Sequence, residues 1–98
     1  MSAAQLKKVA DDHLVLSGEL SIVTVPDLLR QNNELEAGSE LTIDLQAVER
    51  ADSAGVALLI EWRRAAKRQQ QKIVFQNIPP QMLAIARLSG VDELLALT

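Results

Sequence analysis

The chain contains no cysteine. Disulfide frameworks, thiol nucleophiles and thiolate metal sites are therefore excluded together. Tyrosine is also absent, and Trp62 and Phe75 are the only aromatic residues. A core must be built from Leu, Val, Ile and Ala, and the aromatic platforms of many nucleic-acid-binding surfaces are missing. The four glycines, at positions 18, 38, 55 and 90, stand too far apart to form a phosphate-cradling loop. No unbroken apolar run exceeds that of VALLI, residues 56–60, far short of the roughly 18–20 residues of a membrane span. The opening MSAAQLKKVADDHL lacks the apolar stretch of a secretory signal, so a cytoplasmic chain is expected.

Charge of one sign is not in excess. Lys+Arg 10 against Asp+Glu 13 leaves a formal −3, which gives no general attraction to nucleic acid. The cations are segregated, however. Arg63, Arg64, Lys67, Arg68 and Lys72 lie between Trp62 and Lys72 with no acid among them. That run reads either as the solvated end of a helix or as a local patch for an acidic partner or phospholipid head groups.

What remains is one domain's worth of chain. Ninety-eight residues, 48% of them hydrophobic, suffice for a single modest core spanning 1–98. HLVLSGEL alternates with period two and predicts a strand, and AQLKKVADD supplies its antiparallel partner across Asp11-Asp12. Gly18 within it suits a turn or bulge. In SIVTVPDLLRQNNELEAGSE, Thr24 is placed as an N-cap, Pro26 in the first turn and Gly38 as the stop. Val25, Leu28, Leu29 and Leu35 then form the apolar face of a first helix.

The segment Glu40–Val48 (ELTIDLQAV) predicts a buried strand. After Ser53, apolar positions recur at three- and four-residue intervals through Gly55, Leu58, Leu59, Trp62, Ala65 and Ala66, the face of a second helix. KIVFQNI is a further strand. Pro79-Pro80 open a short helix that Gly90 stops, and VDELLALT closes with a helical turn or two. Strands alternating with helices make an α/β sheet with helices packed against it.

The chemistry gathers at the joint of the third strand and second helix. Asp52 and Ser53 suit an N-cap, whose side-chain oxygen accepts from a free backbone N–H. The same place also presents a hydroxyl and free N–H groups at the rim of the sheet, where ligands and partners meet α/β proteins. Ala54 and Gly55 would keep the first turn low for close approach. Val56 and Ile60 fall off the predicted buried face and would add apolar contact, with Arg63, Arg64 and Lys67 extending the patch electrostatically. Catalysis is poorly served: Ser53 has no evident base, His13 lies in or beside a strand, and no G-x-S-x-G elbow surrounds the serine. His13 with nearby carboxylates is too small a donor set for a metal site.

Three segments resemble the STAS family, named for sulfate transporters and anti-sigma-factor antagonists. LVLSGELSIVTVPDLL is similar to the family's first motif, with Ser21 where an Asp is usual. LTIDLQAVERADSAGVALLIEW resembles the second, and IVFQNIPPQMLAIARLSGVDELL the third. The resemblance covers the chain from about residue 13 onward. It implies a four- to five-stranded mixed sheet with helices packed mainly on one face. In anti-sigma-factor antagonists the D-S-S-G motif is phosphorylated on its second serine. Asp52, Ser53 and Gly55 match that motif, but the phosphorylated position falls on Ala54, which has no hydroxyl.

A second branch of the family, the small free-standing STAS subunits of Mla-type phospholipid ABC transport systems, is more similar. It is matched in LSGEL, in IDL followed by V-x-R-x-D, and in a D-T-G-G-L-A-L-L stretch that here reads Asp52 to Leu59. This resemblance implies a non-enzymatic, cytoplasmic partner of an ABC transporter ATPase subunit. Through that subunit it would reach a membrane permease without any span, cofactor or nucleic acid of its own. The resemblance puts the hydroxyl position, Ser53, in the contact region; joined to the reading of the helix start above, the contact is expected at Asp52, Ser53, Ala54, Gly55, Val56, Ile60, Arg63, Arg64 and Lys67. An anti-sigma-factor antagonist that binds a serine kinase is the alternative.

Overall fold

The computed structural model describes residues 4–30 and 40–91. Its elements run β1 (Gln5–Ala10), β2 (His13–Leu20), α1 (Val25–Arg30), β3 (Glu40–Ala51), α2 (Ser53–Arg68), β4 (Lys72–Gln76) and α3 (Pro80–Leu88). The strands lie side by side in chain order, with β1 antiparallel to β2 and both β2–β3 and β3–β4 parallel. The expected mixed sheet is thus four-stranded among the described residues. The expected hairpin closes across Asp11-Asp12, with Ala10 paired to His13.

The period-two pattern sorts each strand's side chains between two faces. On β2, Leu14, Leu16 and Leu20 are buried while Val15, Ser17 and Glu19 remain half-exposed. On β3, Leu41, Ile43 and Leu45 are buried and Thr42 and Asp44 half-exposed. The buried face meets Val25 and Leu28 of α1, Leu58, Leu59 and Trp62 of α2, and Met82 and Ala86 of α3 in one aliphatic core. Each buried Val, Leu, Ile or Met side chain removed from water contributes about 1.5–3 kcal/mol before conformational entropy is set against it. Trp62 is only 1% exposed, and its indole N–H has no hydrogen-bond partner among the described residues.

β3 runs three residues beyond its expected end at Val48. The reason is a pair of register shifts against β2. Val15–Asp44 is followed by Ser17–Ala47, and Gly18–Val48 by Glu19–Arg50, so β3 carries an extra residue at each step. These bulges break the inward–outward alternation after Leu45, which hides Val48–Ala51 from a periodicity search. Asp44 Oδ1 accepts the N–H of Gln46 at the first bulge, at 2.9 Å. Gly18, between the two shifts, takes φ 91°, a conformation that favours glycine.

Thr24 does not cap α1 as expected. Its Oγ1 donates to the carbonyl of Glu19 at 2.7 Å and accepts from the N–H of Ser21 at 2.9 Å, which ties the turn back to β2. Ser21 supplies the local cap: its Oγ accepts from the N–H groups of Val23 and Thr24. Gly38, Leu35 and the closing segment after Val91 lie outside the described residues. α3 begins at Pro80, as the proline pair predicts, and Gly90 ends it at φ 72°.

Candidate functional site at the carboxyl rim of the sheet

Because β2 and β3 are parallel, their carboxyl ends meet at one rim. The N–H of Asp52 donates to the carbonyl of Leu20 at 3.1 Å, so the β2–α1 turn and the start of α2 sit side by side. Asp52 is the N-cap: its Oδ1 accepts the N–H of Ala54 at 2.8 Å. The cap thus falls to the acid, and the hydroxyl next to it is left over. Ser53 is exposed, and no protein group among the described residues holds its side chain.

The residues after it turn inward. Ala54 is half-buried against the core, and its N–H is already taken by the cap. Gly55 is buried; a Cβ there would lie 3.1 Å from Leu20 Cβ and 3.3 Å from Ala51 Cβ. Its small size therefore brings α2 down onto the ends of β2 and β3, rather than clearing space outside. Val56, expected off the buried face, is a core residue at 5% exposure. The apolar stripe of α2 is one position wider than the three-and-four spacing indicated.

Ile22 and Val23, in the β2–α1 turn, are 79% and 73% exposed. They form an apolar knob beside the Ser53 rim, and the sequence reading did not single them out. A usable signal was present: two β-branched residues sit in a turn, SIVT, where neither strand nor helix periodicity assigns them to a core. Between the two rim segments lies a small polar pit of about 110 Å³ lined by Glu19, Leu20, Arg50, Ala51, Asp52 and Gln81. It is smaller than typical ligand pockets, roughly 300–1,000 Å³. His13, the only imidazole, begins β2 at its opposite end, about 23 Å of strand from Leu20.

The remaining expected residues follow the outer face of α2. At about 100° per residue, Ser53, Ile60, Arg64 and Lys67 fall within roughly 60° of one another, with Arg63 beside them. Along the axis they spread out: Arg63 is about 15 Å and Lys67 about 21 Å from Ser53 at 1.5 Å per residue. Ile60 is half-buried and, with Arg63, Arg64 and Lys67, lines an open groove of about 590 Å³ against the start of β4. The basic run is less free than it reads. Arg64 pairs with Glu61 at 3.0 Å, and Arg63 Nη1 donates to the carbonyl of Ile73 at 3.1 Å. No helix among the described residues is long and apolar enough to cross a membrane.

The comparisons agree with this architecture. The family described as "Mlab, STAS domain" matches residues 3–96. The chain is 34% identical over 77 residues to the intermembrane phospholipid transport system binding protein MlaB of Escherichia coli (strain K12), covering 79% of this chain and 78% of that one. The MlaB of Shigella flexneri matches to the same extent. Among solved structures, the unphosphorylated anti-sigma factor antagonist SpoIIAA superposes with a TM-score of 0.70 at 21% identity, covering 93% of this chain and 84% of that one. An anti-sigma factor antagonist from Mycobacterium paratuberculosis superposes with a TM-score of 0.66 at 26% identity, over 96% and 82%.

Proposed function

The chain belongs to the MlaB-type STAS domain family, and from that premise we propose that it is a non-enzymatic binding subunit of an Mla-type phospholipid ABC transporter. It docks on the transporter's ATPase subunit from the cytoplasmic side and supports the assembly and activity of the complex. Its membrane association runs through that partner and the permease beyond it.

The observation that carries this reading is the unbonded, exposed hydroxyl of Ser53 beside the exposed pair Ile22 and Val23. A lone domain gains nothing from either, whereas an interface uses both: apolar anchors for area and a hydroxyl for orientation. Ser53 then contributes a hydrogen bond, Asp52 holds the helix start rigid, and Ala54 and Gly55 set how low the first turn lies on the sheet. Val56 supports this surface from beneath. Ile60, Arg63, Arg64 and Lys67 continue along the helix and form its far, charged border.

The rival reading, an antagonist of an anti-sigma serine kinase, draws on the likeness to SpoIIAA and to the mycobacterial protein. Ala54 opposes it, because the position that accepts phosphate in that class has no hydroxyl here. Purification of the tagged chain from its own cells separates the two. Recovery of an ABC ATPase and permease supports the transporter subunit, whereas recovery of a serine kinase in their place would overturn it. Stoichiometric phosphate on Ser53 after incubation with cell extract and ATP would also count against it.

A further inference from the structure

The groove at the far end of α2 has a chemistry of its own. Ile60 and Ile73 supply aliphatic surface, Arg63, Arg64 and Lys67 stand on the helix side, Lys72 on the strand side, and Gln70 and Gln71 join the two. No acid lines it. Its volume of about 590 Å³ falls within the range of small-molecule sites, roughly 300–1,000 Å³. In a chain of formal charge −3, this one concavity collects four of the ten Lys+Arg residues. Cations along a low-dielectric wall focus their field on whatever enters.

The groove is partly preorganised for an anion. Arg63 is moored across it by one of its five N–H donors, on the Ile73 carbonyl, and its planar fork suits phosphate or carboxylate oxygens. Lys67 and Lys72 have no carboxylate partner among the described residues. The C-terminal end of a helix opposes an anion with roughly half a negative charge. Here that end is blunted, because the carbonyls of Ala65, Ala66 and Lys67 accept from the N–H groups of Gln69, Gln70 and Gln71.

The groove can border a protein interface along its helix side, but it is poorly suited to be the centre of one. The exposed large hydrophobic residues among those described are Val9, Ile22, Val23 and Leu88, and none lines the groove. The centre of a protein–protein interface is depleted in lysine. Nucleic acid lacks aromatic residues to stack on. A cationic cleft with an aliphatic floor instead matches a ligand with a charged head and a hydrocarbon body.

We propose that this groove binds an anionic amphiphile, its phosphate head between Lys67, Lys72 and the Arg63 guanidinium and its aliphatic portion along Ile60. The assignment does not rest on the reading of the rim. It is tested by amide NMR titration of the full chain with three probes: inorganic phosphate, dihexanoylphosphatidic acid below its micelle concentration, and dihexanoylphosphatidylcholine. The expected result is saturable shifts around residues 60–73 with phosphatidic acid, at least roughly tenfold tighter than with either other probe. The double variant Lys67→Gln, Lys72→Gln, both positions exposed, removes the two cations without setting new acids at the helix end or opposite Glu40. It should abolish the saturable shifts while the amide spectrum away from residues 60–73 stays that of the parent. Ile60→Ser should bring phosphatidic acid down to the affinity of inorganic phosphate. Equal affinity for the zwitterionic lipid, shifts centred elsewhere, or no saturation would overturn the proposal. Inorganic phosphate as tight as phosphatidic acid would also overturn it, since it would leave a simple anion site.

Discussion

Leu20 receives Asp52 twice over: its carbonyl accepts the Asp52 N–H at 3.1 Å, and its side chain packs beneath the turn of helix that Asp52 caps. The end of β2 is thereby spliced to the start of α2 by backbone and by packing. The rim on which Ser53 stands is consequently stiff, held by groups that do not include Ser53 itself. Several substitutions separate the two roles.

Replacing Gly55 by alanine sets two effects against each other. Relief of glycine's poor helix propensity gains about 1 kcal/mol. The added Cβ must lie 3.1 Å from Leu20 Cβ and 3.3 Å from Ala51 Cβ, atoms that cannot rotate aside. Overpacking of this kind costs about 1–3 kcal/mol. A net loss of about 1 kcal/mol is expected, read as a lower urea midpoint. An unchanged or higher midpoint would show that the ends of β2 and β3 yield easily.

Asp52→Ala should destabilise the domain by about 0.5–2 kcal/mol, the usual cost of a lost N-cap. Ser53→Ala should alter stability by no more than about 0.5 kcal/mol, because the hydroxyl has nothing to lose inside the protein. Partner binding should respond in the opposite order, with Ser53→Ala weakening it while the melting temperature holds. Thermal melts paired with pull-downs read both quantities. If Ser53→Ala lowers stability and leaves binding intact, the hydroxyl is structural after all.

The exposed pair in the β2–α1 turn makes a similar prediction from apolar side chains. Ile22→Ser with Val23→Ser removes surface that is already in water, so the urea midpoint should stay within about 0.5 kcal/mol of the parent. Affinity for the ATPase subunit should fall at least about tenfold, as expected on loss of central apolar anchors. Unchanged affinity would move the interface off this rim.

Asp44 gives the domain a signature in acid. The Asn77 side chain donates to its Oδ1 at 2.9 Å, as does the backbone N–H of Gln46, and His13 adds a smaller attraction; together they hold its pKa below the ordinary 3.8. A carboxyl group lowered by folding stabilises the native state above its unfolded pKa, and that contribution disappears as pH falls through the folded one. Asp44→Asn should therefore be less stable than the parent above about pH 4. The gap should close as pH drops below that. Urea unfolding across pH 2–7, read by the midpoint, measures it; a gap that does not change with pH would mean that ionisation of Asp44 is not linked to folding.

Much of the architecture was legible in the sequence because it rests on short-range signals. The alternation in HLVLSGEL, the proline pair before Met82 and Gly90 after Leu88 all mark elements that the structure contains. The second helix was legible from its apolar spacing, except at Val56, where burial reached one residue beyond the stripe. What escaped depends on pairing between distant segments. The two bulges that carry β3 to Ala51 follow from its register against β2, which no local pattern encodes. The site shows the same division: Asp52 and Ser53 announce a helix start, but which one caps is settled by geometry. Ile22 and Val23 became part of the rim only once β2 and β3 were seen to end together.

Trp62 lies at 1% exposure in a chain without tyrosine, so the protein's ultraviolet emission is in effect a report from its interior alone. A companion seated on the outer edge, or a guest in the cationic cleft, will leave that light unaltered unless the hydrocarbon packing itself shifts. The native chromophore thus tells occupancy from rearrangement without any attached label.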